Sequence, residues 1–271
     1  MHLPFTLNQF FKYLRHPIYF FSFILYILVD NLFYKYYNNF CKNFFKKKNL
    51  LNYFTHPPSN ADMIKPDFID LKRIYDLVLK RKPKCILEFG SGFSTIAFAL
   101  AARENEKNYN IPTRIFSLES DINWLKNTQK NLPLELKKYV NVSFSKNKII
   151  CWANQIATIH EILPDISPNL IYLDGPSPEI VDGNLNNLTL KSKIYYNENN
   201  SIFYKRGTRN IVSADPLMYE STSPNDFFIL IDRRYAAANF IEKNLKYSYK
   251  IIKSPYFGGY ITFEKKNSLF S

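Results

Sequence analysis

The residues of this chain best placed to do chemistry fall into two groups. The first is L-E-F-G-S-G, Leu87 to Gly92, followed by Ser94 and Thr95 and, after a further apolar run, by Glu119 and Ser120. Glycines at 90 and 92 let a ligand approach the backbone, and a helix starting just beyond them offers N–H groups without intrahelical partners. Glu119 lies 119 minus 92, or 27, residues past the second glycine, where a carboxylate can accept both hydroxyls of a ribose. Glu88, Gly90, Ser91, Gly92, Ser94, Thr95, Glu119 and Ser120 are therefore the candidate binding set for an adenosine-type ligand. The second group is Asp174 and Asp232, each directly after a short apolar run. In an open parallel sheet that is the edge where ligands bind.

These residues need elements to hold them. Cys85–Phe89, between Pro83 and Gly90, reads as a buried parallel strand. Ser94 and Thr95 are expected to cap a helix from Ile96 to Arg103. Further strands are expected at 115–118, 140–144, 170–173 and 227–231, with helices at 67–80, 121–132, 215–220 and 235–245. Residues 149–163 fit helix and strand equally, and His160 within them has no visible partner, which favours a structural or surface role. Trp124 can flank an adenine, though core packing suits a single helical Trp better. The polar stretch 177–210 reads as a long loop at the ligand edge, with Lys205, Arg206 and Arg209 available to an anionic acceptor. Residues 247–253 and 259–264 alternate around a turn and predict a terminal hairpin.

Taken together, L-E-F-G-S-G, S-L-E-S-D at 117–121, L-I-Y-L-D-G-P at 170–176 and F-I-L-I-D at 228–232 resemble the class I S-adenosylmethionine-dependent methyltransferases, in that family's order and across residues 68–264. Ser94 stands where the family has a third glycine. The resemblance implies an α/β fold: a Rossmann-like, doubly wound, mostly parallel seven-stranded sheet whose last strand runs antiparallel beside the fifth. It also implies S-adenosylmethionine as cofactor, with Glu88 toward its ammonium and Glu119 on its ribose. Asp174 and Asp232 would position or deprotonate an acceptor hydroxyl, giving O-methylation of a small, sugar or lipid-linked acceptor. Metal-dependent relatives hold a divalent cation at these strand ends. Here Arg233 occupies a position where many of them have Asn, so no metal is expected; with one, Asp215 would be the third ligand. The competing readings are an NAD(P)-dependent Rossmann oxidoreductase, disfavoured by the missing glycine and the closing hairpin, and a non-catalytic membrane-bound module of the same fold.

Bulk properties frame this. The 271 residues suit a catalytic domain over residues 57–271 preceded by a hydrophobic, basic extension over 1–56. Net charge is +13, and residues 1–50 supply +6 of it through seven Lys and Arg against Asp30. No zinc-finger or RNA-binding signature accompanies the charge, so nucleic acid is a minor reading. Three scattered cysteines suit a reducing cytoplasm. The uncharged run from Pro17 to Val29 is thirteen residues, about 20 Å as a helix and short of the roughly 30 Å hydrocarbon layer. It suits an interfacial helix that, with the lysines up to position 48, brings residues 12–48 to an anionic membrane surface at the inner face. A hydrophobic arm packed on the domain is the other option.

Overall fold

The computed structural model describes residues 17–54, 65–176, 180–181, 183–188, 190–192, 207–208, 212–254 and 259–266, with the backbone alone for residues 17–31, 191–192 and 207–208. Lys205, Arg206, Arg209 and most of the 177–210 stretch lie outside the described residues. The helices are α1 (Pro17–Lys47), α2 (Phe68–Arg81), α3 (Phe93–Tyr109), α4 (Ile122–Asn131), α5 (Asp215–Met218) and α6 (Tyr235–Asn244). The strands are β1 (Cys85–Phe89), β2 (Arg114–Glu119), β3 (Val140–Phe144), β4 (Asn147–Trp152), β5 (Gln155–His160), β6 (Leu170–Leu173), β7 (Lys191–Ser192), β8 (Gly207–Thr208), β9 (Phe228–Asp232), β10 (Tyr249–Ser254) and β11 (Tyr260–Lys265).

Seven strands form one sheet in the order β10-β11-β9-β6-β1-β2-β3. The pairs from β3 through β9 are parallel, and β11 runs antiparallel between β9 and β10. This is the doubly wound sheet expected from the sequence, with its inserted last strand. The central strands alternate between two buried faces, as the two-residue period of a strand requires. Ile86, Leu170, Tyr172, Phe228 and Leu230 meet α2 and α3 on one side, while Leu87, Phe89, Ile171, Leu173, Ile229 and Ile231 meet α5 and α6 on the other. Because both faces are covered, these strands read as unbroken apolar runs.

Two expectations are corrected. Residues 149–163 are neither one helix nor one sheet strand: β4 and β5 form a separate antiparallel hairpin, turning at Ala153 and Asn154, both at positive φ (48° and 61°). The helix after the glycines starts at Phe93, with Gly92 at its N-cap position, so Ser94 and Thr95 stand inside its first turn rather than before it.

The N-terminal helix is one 31-residue element whose last turns join the domain core. Cys41 and Phe45 are buried with Phe54, Phe68 and Tyr75, and Phe45 packs edge-on to Phe54 and Tyr75 at 4.9 and 5.8 Å between ring centroids. Lys48, part of the basic cluster, bonds Glu104 at 2.8 Å. Earlier on the helix, Leu32, Phe33, Tyr36 and Phe40 are exposed. Among the described residues no helix is long and apolar enough to cross a membrane.

Candidate active site

The C-terminal ends of β1, β2, β6 and β9 bring the sequence-flagged residues to one edge of the sheet. At the end of β1 the chain turns at Gly90 and Gly92, with φ of 103° and 150°, backbone that an L side chain rarely adopts. The turn is fixed by Gly90 N–H donating to Leu118 O (2.8 Å) and Ser117 Oγ donating to Gly90 O (2.9 Å). Gly175, in the turn after β6, comes close enough that a Cβ there would lie 3.1 Å from Gly90 N and 3.2 Å from the Phe89 carbonyl. The β1 and β6 turns thus touch backbone to backbone, with Asp174 N–H donating to Phe89 O (3.0 Å).

Glu88 is 0 % exposed. Its oxygens accept from Ser94 Oγ (2.5 Å) and Thr95 Oγ1 (2.7 Å), and Thr95 Oγ1 in turn accepts from Gly92 N–H (3.0 Å). Burial pushes its carboxyl up to about 7 against these hydrogen bonds. An acid on a buried strand needs partners, and it finds them in the helix start, so Glu88 shapes the glycine turn.

Glu119 is 6 % exposed. Its Oε1 accepts from the N–H groups of Ser120 (2.8 Å) and Asp121 (3.0 Å), and its Oε2 accepts from Ser91 Oγ (2.8 Å). Desolvation raises its carboxyl above the ordinary range despite these donors. Each carboxylate oxygen has two lone pairs, so Oε2 retains acceptor capacity for a ribose hydroxyl. Trp124, half-buried on α4, is not a core residue: its indole N–H donates to Ser91 O, and a Cβ on Gly92 would lie 3.6 Å from the ring nitrogen. Bare glycine backbone, a carboxylate with a spare lone pair and an aromatic ring beside the turn fit an adenosine-type ligand.

Asp174 and Asp232 follow the paired residues Leu173 and Ile231 on neighbouring strands. Asp232 Oδ1 is buried without a hydrogen-bond partner among the described residues, and desolvation followed by the charge of Asp174 pushes its carboxyl up to about 7. Desolvation also pushes Asp174 up to about 6, against Arg234. Its side chain keeps 47 % of its surface exposed, so water moderates that rise. Arg233, at φ 50°, sends Nη2 to Asp67 (2.5 Å) and Asp70 (2.7 Å) and lies 3.7 Å from Asp232. A guanidinium thus supplies positive charge among these acids. Asp70, which no sequence motif marked, joins the cluster from α2, its carboxyl pushed up to about 7 by burial and then by Asp232. Among the described residues no group of three or more potential ligands is arranged to hold a metal ion.

His160, expected to be structural or at the surface and without a visible partner, does have partners. It is buried and fully engaged: Nδ1 lies 2.9 Å from Asp215 Oδ2 and Nε2 lies 3.0 Å from Ser120 Oγ. Asp215 also accepts from the His160 backbone N–H (2.8 Å) and Ser213 Oγ (2.7 Å). Asp215 is thus engaged with His160 and Ser213, away from Asp174 and Asp232. A groove of about 600 Å³ lies elsewhere, between α2 and β9–β11, lined by Lys72, Arg73, Phe228 and Tyr260 among others. It holds none of the acids or glycines above.

No protein-family model matches the sequence, and no curated protein does. Among solved structures, similar chains include an O-methyltransferase from Bacillus cereus in complex with SAH, 14 % identical over 83 % of this chain and 90 % of that one, with a TM-score of 0.42. An O-methyltransferase of tomaymycin synthesis from Streptomyces achromogenes, in complex with SAM, is 10 % identical over 84 % and 89 % with a TM-score of 0.43. A precorrin-6y C5,15-methyltransferase from Geobacter metallireducens is 12 % identical over 78 % and 94 % with a TM-score of 0.41. At these values the likeness carries no weight for activity or substrate. The order of this chain's own strands, with β11 inserted antiparallel beside β9 and a glycine turn after β1, gives it the fold of the class I S-adenosylmethionine-dependent methyltransferases.

Proposed function

We propose that the chain is an S-adenosylmethionine-dependent methyltransferase acting on a hydroxyl of a small-molecule acceptor. Bound S-adenosylmethionine supplies an electrophilic methyl carbon on a sulfonium. Gly90, Ser91 and Gly92 offer the close backbone for it, Glu119 takes its ribose, and Glu88 acts through Ser94 and Thr95 to hold the turn.

The observation that carries the reading is Asp232 Oδ1, a buried acceptor without a hydrogen-bond partner among the described residues at the ligand edge. Its nearest cation, Arg233 Nε, stands 3.7 Å away, beyond hydrogen-bond reach; a buried acceptor without a hydrogen bond is costly, and an acceptor hydroxyl satisfies it. With its carboxyl near 7, Asp232 can take the hydroxyl proton at neutral pH, where a general base works best. Asp174, at the end of the adjoining strand, orients the same hydroxyl. The basic residues around them, Arg233 and Arg234, keep the developing charge compensated.

The extension suits residues 12–48 lying on an anionic membrane surface at the cytoplasmic side, which would bring a lipid-linked acceptor within reach. The exposed row Leu32, Phe33, Tyr36 and Phe40 supports this, and flotation with anionic liposomes tests it: protein that stays in the soluble fraction rules it out. The three cysteines are free thiols, in keeping with a reducing compartment.

Calorimetric titration with S-adenosylhomocysteine, with NAD in parallel, tests the main reading. Binding of the first, weakened roughly tenfold or more by Glu119→Ala, supports it. Binding of NAD alone would move the chain to the oxidoreductases, and binding of neither would leave a non-catalytic module.

A further inference from the structure

Ser120, His160 and Asp215 lie in a line, 3.0 Å from Ser120 Oγ to His160 Nε2 and 2.9 Å from His160 Nδ1 to Asp215 Oδ2. The arrangement has the layout of a nucleophilic serine relay, but the surroundings exclude acyl chemistry. The N–H groups of Ser120 and Asp121, the adjacent amides an oxyanion would use, both donate to Glu119 Oε1 at 2.8 and 3.0 Å. Something else accounts for three polar side chains, two of them buried, held in a row.

The row has a direction. Asp215 is fully buried and acceptor-only when ionised, and it already accepts from the His160 N–H and Ser213 Oγ. Its contact with the imidazole is satisfied when His160 carries its proton on Nδ1. Nε2 is then a bare acceptor, because the partner of one ring nitrogen fixes the state of the other. Asn147 reaches the same Nδ1 with its Nδ2 at 3.1 Å, leaving its Oδ1 buried without a partner among the described residues; a proton on Nδ1 requires the two ends of this amide to be exchanged, which pairs that oxygen with the ring N–H. A bare Nε2 takes the hydroxyl proton of Ser120. With that proton committed, Ser120 Oγ meets any ligand as an acceptor.

Ser120 is half-buried and directly follows Glu119 at the ligand edge of β2. On the reading that Glu119 holds a ribose, on which this inference rests, the attached base passes Ser120. We propose that Ser120, His160 and Asp215 form a buried polar relay that fixes the Ser120 hydroxyl as a hydrogen-bond acceptor and so selects a base bearing an exocyclic amino group, adenine over hypoxanthine. Ser120 is the specificity-determining residue; His160 and Asp215 are positioning residues that act through it.

The relay makes Asp215→Asn informative. Its remaining oxygen still takes the His160 N–H, so its amide nitrogen faces Nδ1 and donates to it. The imidazole proton moves to Nε2, Ser120 becomes the acceptor within the relay, and its own proton is released toward the ligand. The preference for an amino group then turns into one for a carbonyl.

The test is calorimetric binding of S-adenosylhomocysteine and of its deaminated form, S-inosylhomocysteine, to the full chain and to Ser120→Ala and Asp215→Asn, with the nitrogen-15 resonances of the His160 ring in the unaltered protein. The expected result is roughly tenfold or more discrimination in the unaltered protein, lost in Ser120→Ala and reversed in Asp215→Asn, with a proton on Nδ1. Ser120→Ala removes one atom from a half-buried side chain and keeps the measurement usable if Asp215→Asn folds poorly. Equal binding of the two nucleosides by the unaltered protein, or a proton on Nε2, overturns the relay and leaves the methyltransferase reading standing. Binding of neither nucleoside overturns both.

Discussion

Arg233 Nη2 lies 2.7 Å from Asp70 Oδ2, joining the turn after β9 to the first turn of α2, 163 positions earlier in the chain. The same nitrogen bonds Asp67, the N-cap of α2, at 2.5 Å, and Tyr34 Oη donates to Asp67 from α1. Desolvation works against the guanidinium, but Asp70, Asp232 and Asp67 outweigh it and hold the group firmly ionised. One cation therefore serves acids from α2 and β9.

Replacing that cation leaves Asp70 its bond to Arg73 (2.6 Å) but removes the positive charge that Asp67, Asp70 and Asp232 share. Arg233→Gln is expected to destabilise the fold by about 1 kcal/mol at pH 7.5, a modest figure because 46 % of the side chain is exposed and surface pairs are screened. The loss shrinks as pH falls through about 7 toward 5, because Asp70 and Asp232 protonate in that range. Urea unfolding at the two pH values measures it, and an equal loss at both would show that the guanidinium contributes by packing alone.

Asp232→Asn keeps the shape of the site but cannot take a proton. Methyl transfer is expected to fall by roughly 10²- to 10⁴-fold, while S-adenosylhomocysteine affinity stays within about twofold of the original. In the unaltered protein, the rate is expected to rise with pH through about 7, because the ionised carboxyl is the active form and desolvation with the charge of Asp174 places it there. Asp70 titrates in the same range, so the limb reports the pair. A flat profile between pH 6 and 8 would remove Asp232 as the base.

Glu88 makes stability fall with rising pH. Its folded carboxyl is raised to about 7 by burial, above its value of about 4.3 in an unfolded chain. The folded state therefore binds the extra proton between these values, and its contribution is complete below about 4.3 and lost as pH passes about 7. Thermal midpoints measured from pH 5 to 8 are expected to fall, and Glu88→Gln is expected to flatten that slope. An unchanged slope in the variant would place the dependence elsewhere, with Asp70 and Asp232 as the next groups to test.

Gly175→Ala is expected to cost about 1–3 kcal/mol. The added Cβ meets Gly90 N at 3.1 Å and the Phe89 carbonyl at 3.2 Å, backbone atoms that cannot swing away, so the β1 and β6 turns must part. Ligand affinity should weaken with stability, and differential scanning fluorimetry with and without S-adenosylhomocysteine reads both.

Phe45→Ala is expected to cost about 3–5 kcal/mol, since the ring is fully buried among Phe54, Phe68 and Tyr75. Chemical denaturation tests this. A loss under 1 kcal/mol would mean that the helix ends are dispensable to the core.

The sheet was readable in the sequence because its central strands are covered on both faces: C-I-L-E-F and L-I-Y-L have no solvent side on which to place polar residues. Glu88, Glu119, Asp174 and Asp232 stood out for the same reason, as acids in or just after such runs. The β4–β5 hairpin was hidden by its turn, where Ala153 takes a positive φ usually left to glycine, asparagine or aspartate. His160 looked partnerless because Ser120 is 40 positions before it and Asp215 is 55 after it. Their meeting depends on backbone bonds between Thr158 and residues Val212 and Ala214, which no local pattern foretells. The burial of Phe45 was likewise invisible, because an aromatic run reads the same whether lipid or protein covers it.

The inserted strand makes the place of one neighbour depend on another. β11 follows β9 and β10 in the chain but lies between them in the sheet, bonding Ile261 to Ile231 on one side and to Lys253 on the other. β9 and β10 share no edge, and β10 pairs with β11 alone. β10 is thus held in the sheet only through β11, and the sheet beside Asp232 is complete only with that last strand, whose Tyr260 pairs with Asp232 itself.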